Sequence, residues 1–277
     1  MEKSKKKLKI FPNTRSKRNG HLNERGQVTI FIIIGLIIVV FGVLIFMFYP
    51  NIKSGLGIGS QNPSSYIQNC LEDEIKNSVE ILSSQGGNIK PEHYFLYNDE
   101  KIEYLCYTNE YYKTCVVQQP MLMAHIENEI KKNINSEAKQ CFIDMKSSYE
   151  NKGYDFKSGA VDFEVELLPK RIVVRFDNSV ILTKENAQEY DSLEVAFNDN
   201  LYELVSIANS ILDWETNYGD AETTIYMNYY HDLKVEKKKQ SDGTTIYILT
   251  DRNNGNKFQF ASRSVAWPPG YGAGEVI

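Results

Sequence analysis

No charged residue occurs between Gly26 and Ile52, an interval bounded by Arg25 and Lys53. A stretch that long without charge is unsuited to an aqueous surface. Cysteine is scarce as well, with four in the chain, none before Cys70 and no pair at Cys-x-x-Cys spacing. The four histidines, His21, His93, His125 and His231, stand far apart. Neither pattern resembles a zinc site, so no metal or cofactor is expected. The chain also lacks a Gly-x-Ser-x-Gly elbow, a phosphate-binding glycine loop and a His-Glu-x-x-His helix. No catalytic residue is therefore nominated and the expectation is a protein that is not an enzyme, although a triad assembled from distant residues is recognised by geometry alone. No internal repeat stands out at a fixed period.

The charge-free run has one natural solvent. From Val28 to Tyr49 it contains seventeen Val, Ile, Leu or Phe residues, and as a helix it would measure about 33 Å, enough to cross a bilayer core. The gross insertion gain is about 5 to 9 kcal/mol at roughly 0.3 to 0.6 kcal/mol per apolar residue. Phe46-Met47-Phe48-Tyr49-Pro50 offers no small-residue cleavage site, so the expectation is a retained anchor. Residues 2–25 carry nine Lys or Arg against Glu2 and Glu24, which places the leader in the cytoplasm and the rest outside the cell. A leader of +7 in a chain of net charge -5 leaves -12 for the remainder. An acidic exported domain points away from nucleic acid as a partner.

Along the chain this gives a basic cytoplasmic leader over 1–26, a transmembrane helix over 27–50 and a Gly/Ser-rich linker over 51–62. A region of helix, hairpin and helix follows over 63–152. Ser64 or Ser65 caps the first helix, whose stripe is Ile67, Cys70, Leu71, Ile75, Val79 and Leu82, and Gln85-Gly86-Gly87 ends it. The second helix is expected from Pro120 to Tyr149, with Leu122, Ile126, Ile130, Ile134, Ala138, Cys141 and Met145 on its stripe. Four cysteines confined to the exported part suggest disulfides. Of three connectivities the favoured one joins Cys106 to Cys115 across a hairpin and Cys70 to Cys141 between the helices. Buried free thiols and a metal site are the rival readings.

From Gly153 the period changes to two. Val161, Phe163, Val165 and Leu167 alternate with acids, and strands at 171–177 and 179–183 flank a turn at Asp177-Asn178. A helix with Leu201, Leu204, Val205, Ala208, Ile211 and Leu212 follows, capped near Asn198 or Asn200. Strands at 233–239, 244–250 and 257–265 close a mainly antiparallel β region spanning 153–267, and 268–277 is a tail. The fold class is α+β, an N-terminal transmembrane helix followed by an extracellular domain of amphipathic helices and antiparallel β-sheet. Asp251-Arg252-Asn253-Asn254-Gly255 fits a hairpin turn better than a calcium loop. Eighteen tyrosines include a group at Tyr226, Tyr229 and Tyr230 that could offer a binding surface or simply line half-buried strands.

The junction Arg25-Gly26-Gln27-Val28-Thr29 resembles the class III signal of archaeal type IV pilin-like proteins. The resemblance implies that a prepilin peptidase cuts after Gly26 and leaves the stem attached. Phe31 stands where that stem often has a glutamate used to register subunits, so the resemblance implies processing more than filament assembly. Cys70-Leu71, Gln85-Gly86-Gly87, Cys141 and Phe258-Gln259-Phe260-Ala261 are together similar to a group of membrane-anchored archaeal proteins without an assigned activity. The expected function is a single-pass cell-surface protein presenting a non-catalytic domain for adhesion or envelope assembly, with the membrane and a surface protein or glycan as partners. The alternatives are a pilin-like filament subunit and an anchored extracellular enzyme.

Overall fold

The computed structural model describes residues 33–40 and 62–266. Residues 33–40 are helical and exposed; most of the expected membrane segment, the Arg25-Gly26-Gln27 junction, most of the linker and the tail lie outside the described residues. Among the described residues no helix is long and apolar enough to cross a membrane. Residues 62–266 belong to a single compact unit with mixed α+β architecture.

Helix α1 spans Pro63–Ser84. Its cap is Asn62, two positions ahead of the first of the two expected serines: the Asn62 side chain accepts from the Ser64 amide at 3.2 Å, and Pro63 takes the first helical position, where no amide is needed. Ile67, Leu71, Ile75 and Leu82 are buried on its stripe, whereas Cys70 sits at an exposed edge. The helix ends as the Gly87 amide donates to the Leu82 carbonyl at 2.8 Å, and Gly87 adopts φ +91°. A side chain there would press on Ile126 and Leu122, so the glycine also lets the next helix pass close by.

A hairpin of β1 (Tyr94–Tyr97) and β2 (Glu100–Tyr107) turns at Asn98-Asp99, and β3 (Val116–Val117) returns against β2. Two helices then stand where one was expected, α2 (Leu122–Asn133) and α3 (Asn135–Asn151). The break falls at Ile134, between two asparagines, residues that weaken helix interiors by offering the backbone other partners. The Asn133 side chain donates from Nδ2 to Ser78 Oγ on α1 at 2.8 Å. The apolar stripe runs through the break, with Leu122, Ile126, Ile130, Ile134, Ala138, Cys141 and Met145 all buried.

Strands β4 (Asp155–Ser158), β5 (Phe163–Leu168), β6 (Arg171–Phe176), β7 (Val180–Thr183), β8 (Ala187–Tyr190) and β9 (Leu193–Asn198) form two small antiparallel sheets. Their orders are β5-β6-β9 and β4-β7-β8. The turn at Asp177-Asn178 is thus a crossover between sheets and not a link between paired strands. Helices α4 (Leu201–Tyr218) and α5 (Thr224–Tyr229) lead to β10 (Leu233–Lys239), β11 (Thr244–Asp251) and β12 (Lys257–Arg263). The largest sheet has the order β1-β2-β12-β11-β10, with β3 also on β2. Within it β12 runs parallel to β2, a pairing that needs a long crossover. Everything between Tyr107 and Lys257 serves as that connection, so the regions on either side of residue 152 share one core.

The cysteines pair as Cys70–Cys141, joining α1 to α3 with Cα atoms 6.0 Å apart, and Cys106–Cys115, with Cα atoms 5.4 Å apart. A second tie is polar. Glu215 on α4 is 2% exposed. Its carboxylate accepts from the Tyr247 hydroxyl, from Ser262 Oγ at 2.9 Å and from the Ala221 amide at 3.3 Å. Burial raises the pKa of Glu215, and burial also pushes the Tyr247 hydroxyl well above its ordinary value. One carboxylate therefore fastens α4 to β11 and β12 and also holds the loop after Gly219.

Replacing Cys70 and Cys141 by Ala is expected to cost about 4 kcal/mol, and replacing Cys106 and Cys115 about 3 kcal/mol, because the first pair closes the longer loop. Urea unfolding of the oxidised proteins checks the order. Dithiothreitol should open Cys70–Cys141 first, as Cys106 and Cys115 are 0% and 3% exposed. Tyr247→Phe, which leaves Glu215 without one of its donors, is expected to destabilise by about 1 to 3 kcal/mol in the same assay.

Candidate functional site

Two turns and two helix ends meet around a cleft of about 1190 Å³. The C-terminal part of α1 supplies Val79 and Ser83, the β1–β2 turn Tyr97 and Asn98, the start of α4 Asp199, Asn200, Leu201, Glu203 and Leu204, and the β11–β12 turn Asp251, Asn254, Gly255 and Asn256. Each turn is polar for a local reason. Asn200 is the N-cap of α4, one of the expected positions, but its side chain makes no capping bond; Asp199 Oδ1, just before it, accepts from the Leu201 amide at 2.7 Å. Asp251 Oδ1 accepts from the Asn253 amide at 2.8 Å, and Asn254 Oδ1 from the Asn256 amide at 2.8 Å, while Gly255 supplies φ +79°.

Tertiary packing brings these two turns together. Asn200 Nδ2 donates to Asp251 Oδ2 at 2.7 Å, and Asn256 Nδ2 donates to Asn200 Oδ1 at 2.7 Å and more weakly to Asp199 Oδ2 at 3.4 Å. Four planar side chains are thereby held in fixed orientations. Burial raises the pKa of Asp199, and the nearby Glu203 charge adds to this against the hydrogen bonds from the Leu201 and Asn200 amides. Glu203 Oε1 accepts from the Lys170 amide at 3.0 Å, and its buried Oε2 has no protein partner. At the other end Gln259 Nε2 donates to the Ser84 carbonyl at 2.7 Å and to Glu100. Tyr97 gives the lining its aromatic surface, and Val79, Leu201, Leu204 and Ile248 its aliphatic one.

The arrangement can present hydrogen-bond acceptors and donors side by side. Among the described residues no group of His, Cys, Asp and Glu could hold a metal ion. His125 lies elsewhere, its Nε2 at 2.7 Å from Asn88 Oδ1, and burial lowers its pKa. His93 packs against the Tyr104 and Tyr107 rings at 4.9 and 4.4 Å.

The tyrosines singled out in sequence divide. Tyr226 is buried and its hydroxyl meets Ser210 Oγ at 2.8 Å, tying α5 to α4. Tyr229 and Tyr230 are 82% and 55% exposed, and none of the three lines the cleft. The sequence placed the α4 cap near Asn198 or Asn200 and a turn at Asp251–Gly255, with no sign that the two meet. The only signal was the unusual density of Asn and Asp at both places. Compared with known protein families, with curated proteins and with solved structures, the chain matches none.

Because the folded state raises the Asp199 pKa, the charged carboxylate opposes folding at neutral pH. The associated stability is full below the unfolded aspartate value and is lost as pH rises through the raised value. Asp199→Asn keeps the cap and removes the charge. Its melting temperature should exceed that of the wild type at pH 7, with the difference vanishing at acidic pH in paired thermal melts.

Proposed function

We propose that the chain is a single-pass membrane-anchored protein that displays its α+β domain outside the cell for adhesion or envelope assembly, without chemistry of its own. The observation that carries this reading is the pairing of all four cysteines within residues 62–266. Disulfides persist in oxidising compartments and are rare in the cytosol. The charge-free run from Gly26 to Ile52 and its basic leader supply the matching anchor and direction.

A second reading is a type IV pilin-like subunit processed after Gly26. It is favoured by Arg25-Gly26-Gln27 at the head of the apolar stem and opposed by Phe31. Prepilin peptidase is the partner it requires.

Protease treatment of intact cells expressing the C-terminally tagged chain tests the first reading. The domain should be digested from outside while the tag-bearing material fractionates with membranes beforehand. A protected domain, or free cysteines by thiol labelling under denaturing conditions, would overturn it. Mass spectrometry of the mature N-terminus separates the second: a terminus at Gln27 supports processing, and an intact leader rules it out.

A further inference from the structure

The cleft between α1, the β1–β2 turn and the start of α4 has more built into it than packing requires. Asp199, Asn200, Asp251 and Asn256 are locked by 2.7 to 3.4 Å hydrogen bonds to one another. Their remaining lone pairs and protons are thus presented with little rotamer entropy left to lose on binding. Asp199 within it carries a cost, since burial holds its carboxyl above its ordinary pKa and disfavours its charged state. Glu203 adds a buried oxygen with no protein partner.

The chemistry of the lining selects among ligands. Six carboxylates, Asp199, Glu203 and Asp251 among them, lie in the same cleft as Lys76, Lys170 and Lys257, so charges of both signs, with acids in excess, are interleaved with amides. A lining of one sign attracts the opposite ion; a mixed lining rich in amides favours a neutral molecule that both donates and accepts. Carboxylates and carboxamides provide paired acceptors and donors that match adjacent hydroxyl groups. Tyr97 provides the flat, half-wet surface against which the C–H face of a sugar ring can lie. The volume of about 1190 Å³ exceeds the range of ordinary small-molecule pockets, roughly 300 to 1,000 Å³, and suits several linked rings.

We propose that this cleft is a binding site for a neutral, hydroxyl-rich oligosaccharide, with Asp199, Asn200, Asp251 and Asn256 as the hydrogen-bonding set and Tyr97 as the ring platform. The proposal rests on the reading of an exported adhesion domain and names what that domain holds. Binding is non-covalent and no group is transferred.

The test uses the full chain in glycolipid-free nanodiscs. Maltohexaose, cellohexaose and mannohexaose are titrated by calorimetry beside hexagalacturonate and hexalysine, the anionic and cationic comparators. At least one neutral hexasaccharide should bind while both charged oligomers do not. The double variant Asp199→Asn, Asp251→Asn and the single variant Tyr97→Ala should each weaken that binding by about tenfold or more, the order of one lost polar or stacking contact. The double variant retains the backbone caps, so an unchanged or higher melting temperature shows that the loss is local. Binding of a charged oligomer instead, no binding of any neutral one, or neutral binding that both variants leave intact would each overturn the proposal. Protease accessibility on intact cells is read independently. A chain that is exposed outside yet binds none of the neutral sugars loses this site and keeps its location.

Discussion

The parallel contact between β2 and β12 is the constraint on which the rest of the domain depends. Ala261, Ser262 and Arg263 lie beside Tyr104, Cys106 and Tyr107, so strands from opposite ends of the described domain become neighbours. Such a contact has to overcome the entropy of closing a very long loop before any hydrogen bond is gained. The surrounding structure reinforces it from several sides. Cys106–Cys115 fastens β2 to the segment that returns beside it, and Cys115 Sγ lies 3.6 Å from Ser262 Oγ on β12. Glu215 accepts from that same serine. A covalent link, a hydrogen-bond network and a ladder therefore converge on one place.

Around that seam the two faces of the large sheet are treated differently. Tyr247, Leu249, Phe258 and Phe260 turn into the main core with α1 and α4, whereas Ile102, Tyr104, Ile246 and Ala261 gather into a smaller cluster on the other side. Helix α1 reaches further, packing on α3, β9 and β12 at once. It thus bridges the large sheet and one of the small ones. The cleft is a consequence of this bridging: it opens where the end of α1, the start of α4 and the β11–β12 turn come together but do not fill the space. Loops at such a junction are free of core-packing duty and can carry binding groups on a rigid frame.

The cost structure of the polar groups separates scaffold from site. Glu215 is deeply buried and fully engaged, and its partners lie on β11, β12 and the loop after Gly219. It holds elements in place. Asp199 is engaged too, but it faces a cleft and stays in an environment that disfavours its charge. Its hydrogen bond from the Leu201 amide supports the start of α4 while burial opposes its charge, so one side chain serves both the helix start and the cleft.

Regular periodicity made much of this legible in advance. Apolar residues at three- and four-residue steps marked α1, the α2–α3 stripe and α4, and alternation marked β5 and the closing strands, because burial on one face imposes those periods whatever the partner is. The cysteine pairing was legible for a similar reason: two cysteines flanked a single turn, which left the other two for each other. The partition of six strands into two small sheets was not, since Asp177-Asn178 reads equally well as a hairpin turn or a crossover and only the partners of β6 and β7 distinguish them. The parallel β2–β12 pairing joins residues too distant for any local pattern to register. Burial of Glu215 was hidden because one acid on an amphipathic helix looks like any surface acid. The cleft was hidden because Asn and Asp serve caps and turns in every chain. By itself the sequence determined the helical stripes, the alternation of β5 and the closing strands, and the favoured cysteine pairs, all set by local chemistry and simple spacing. Only the tertiary structure decided which strands are neighbours and which caps face each other, because those depend on contacts between residues that the chain brings together only once it has folded.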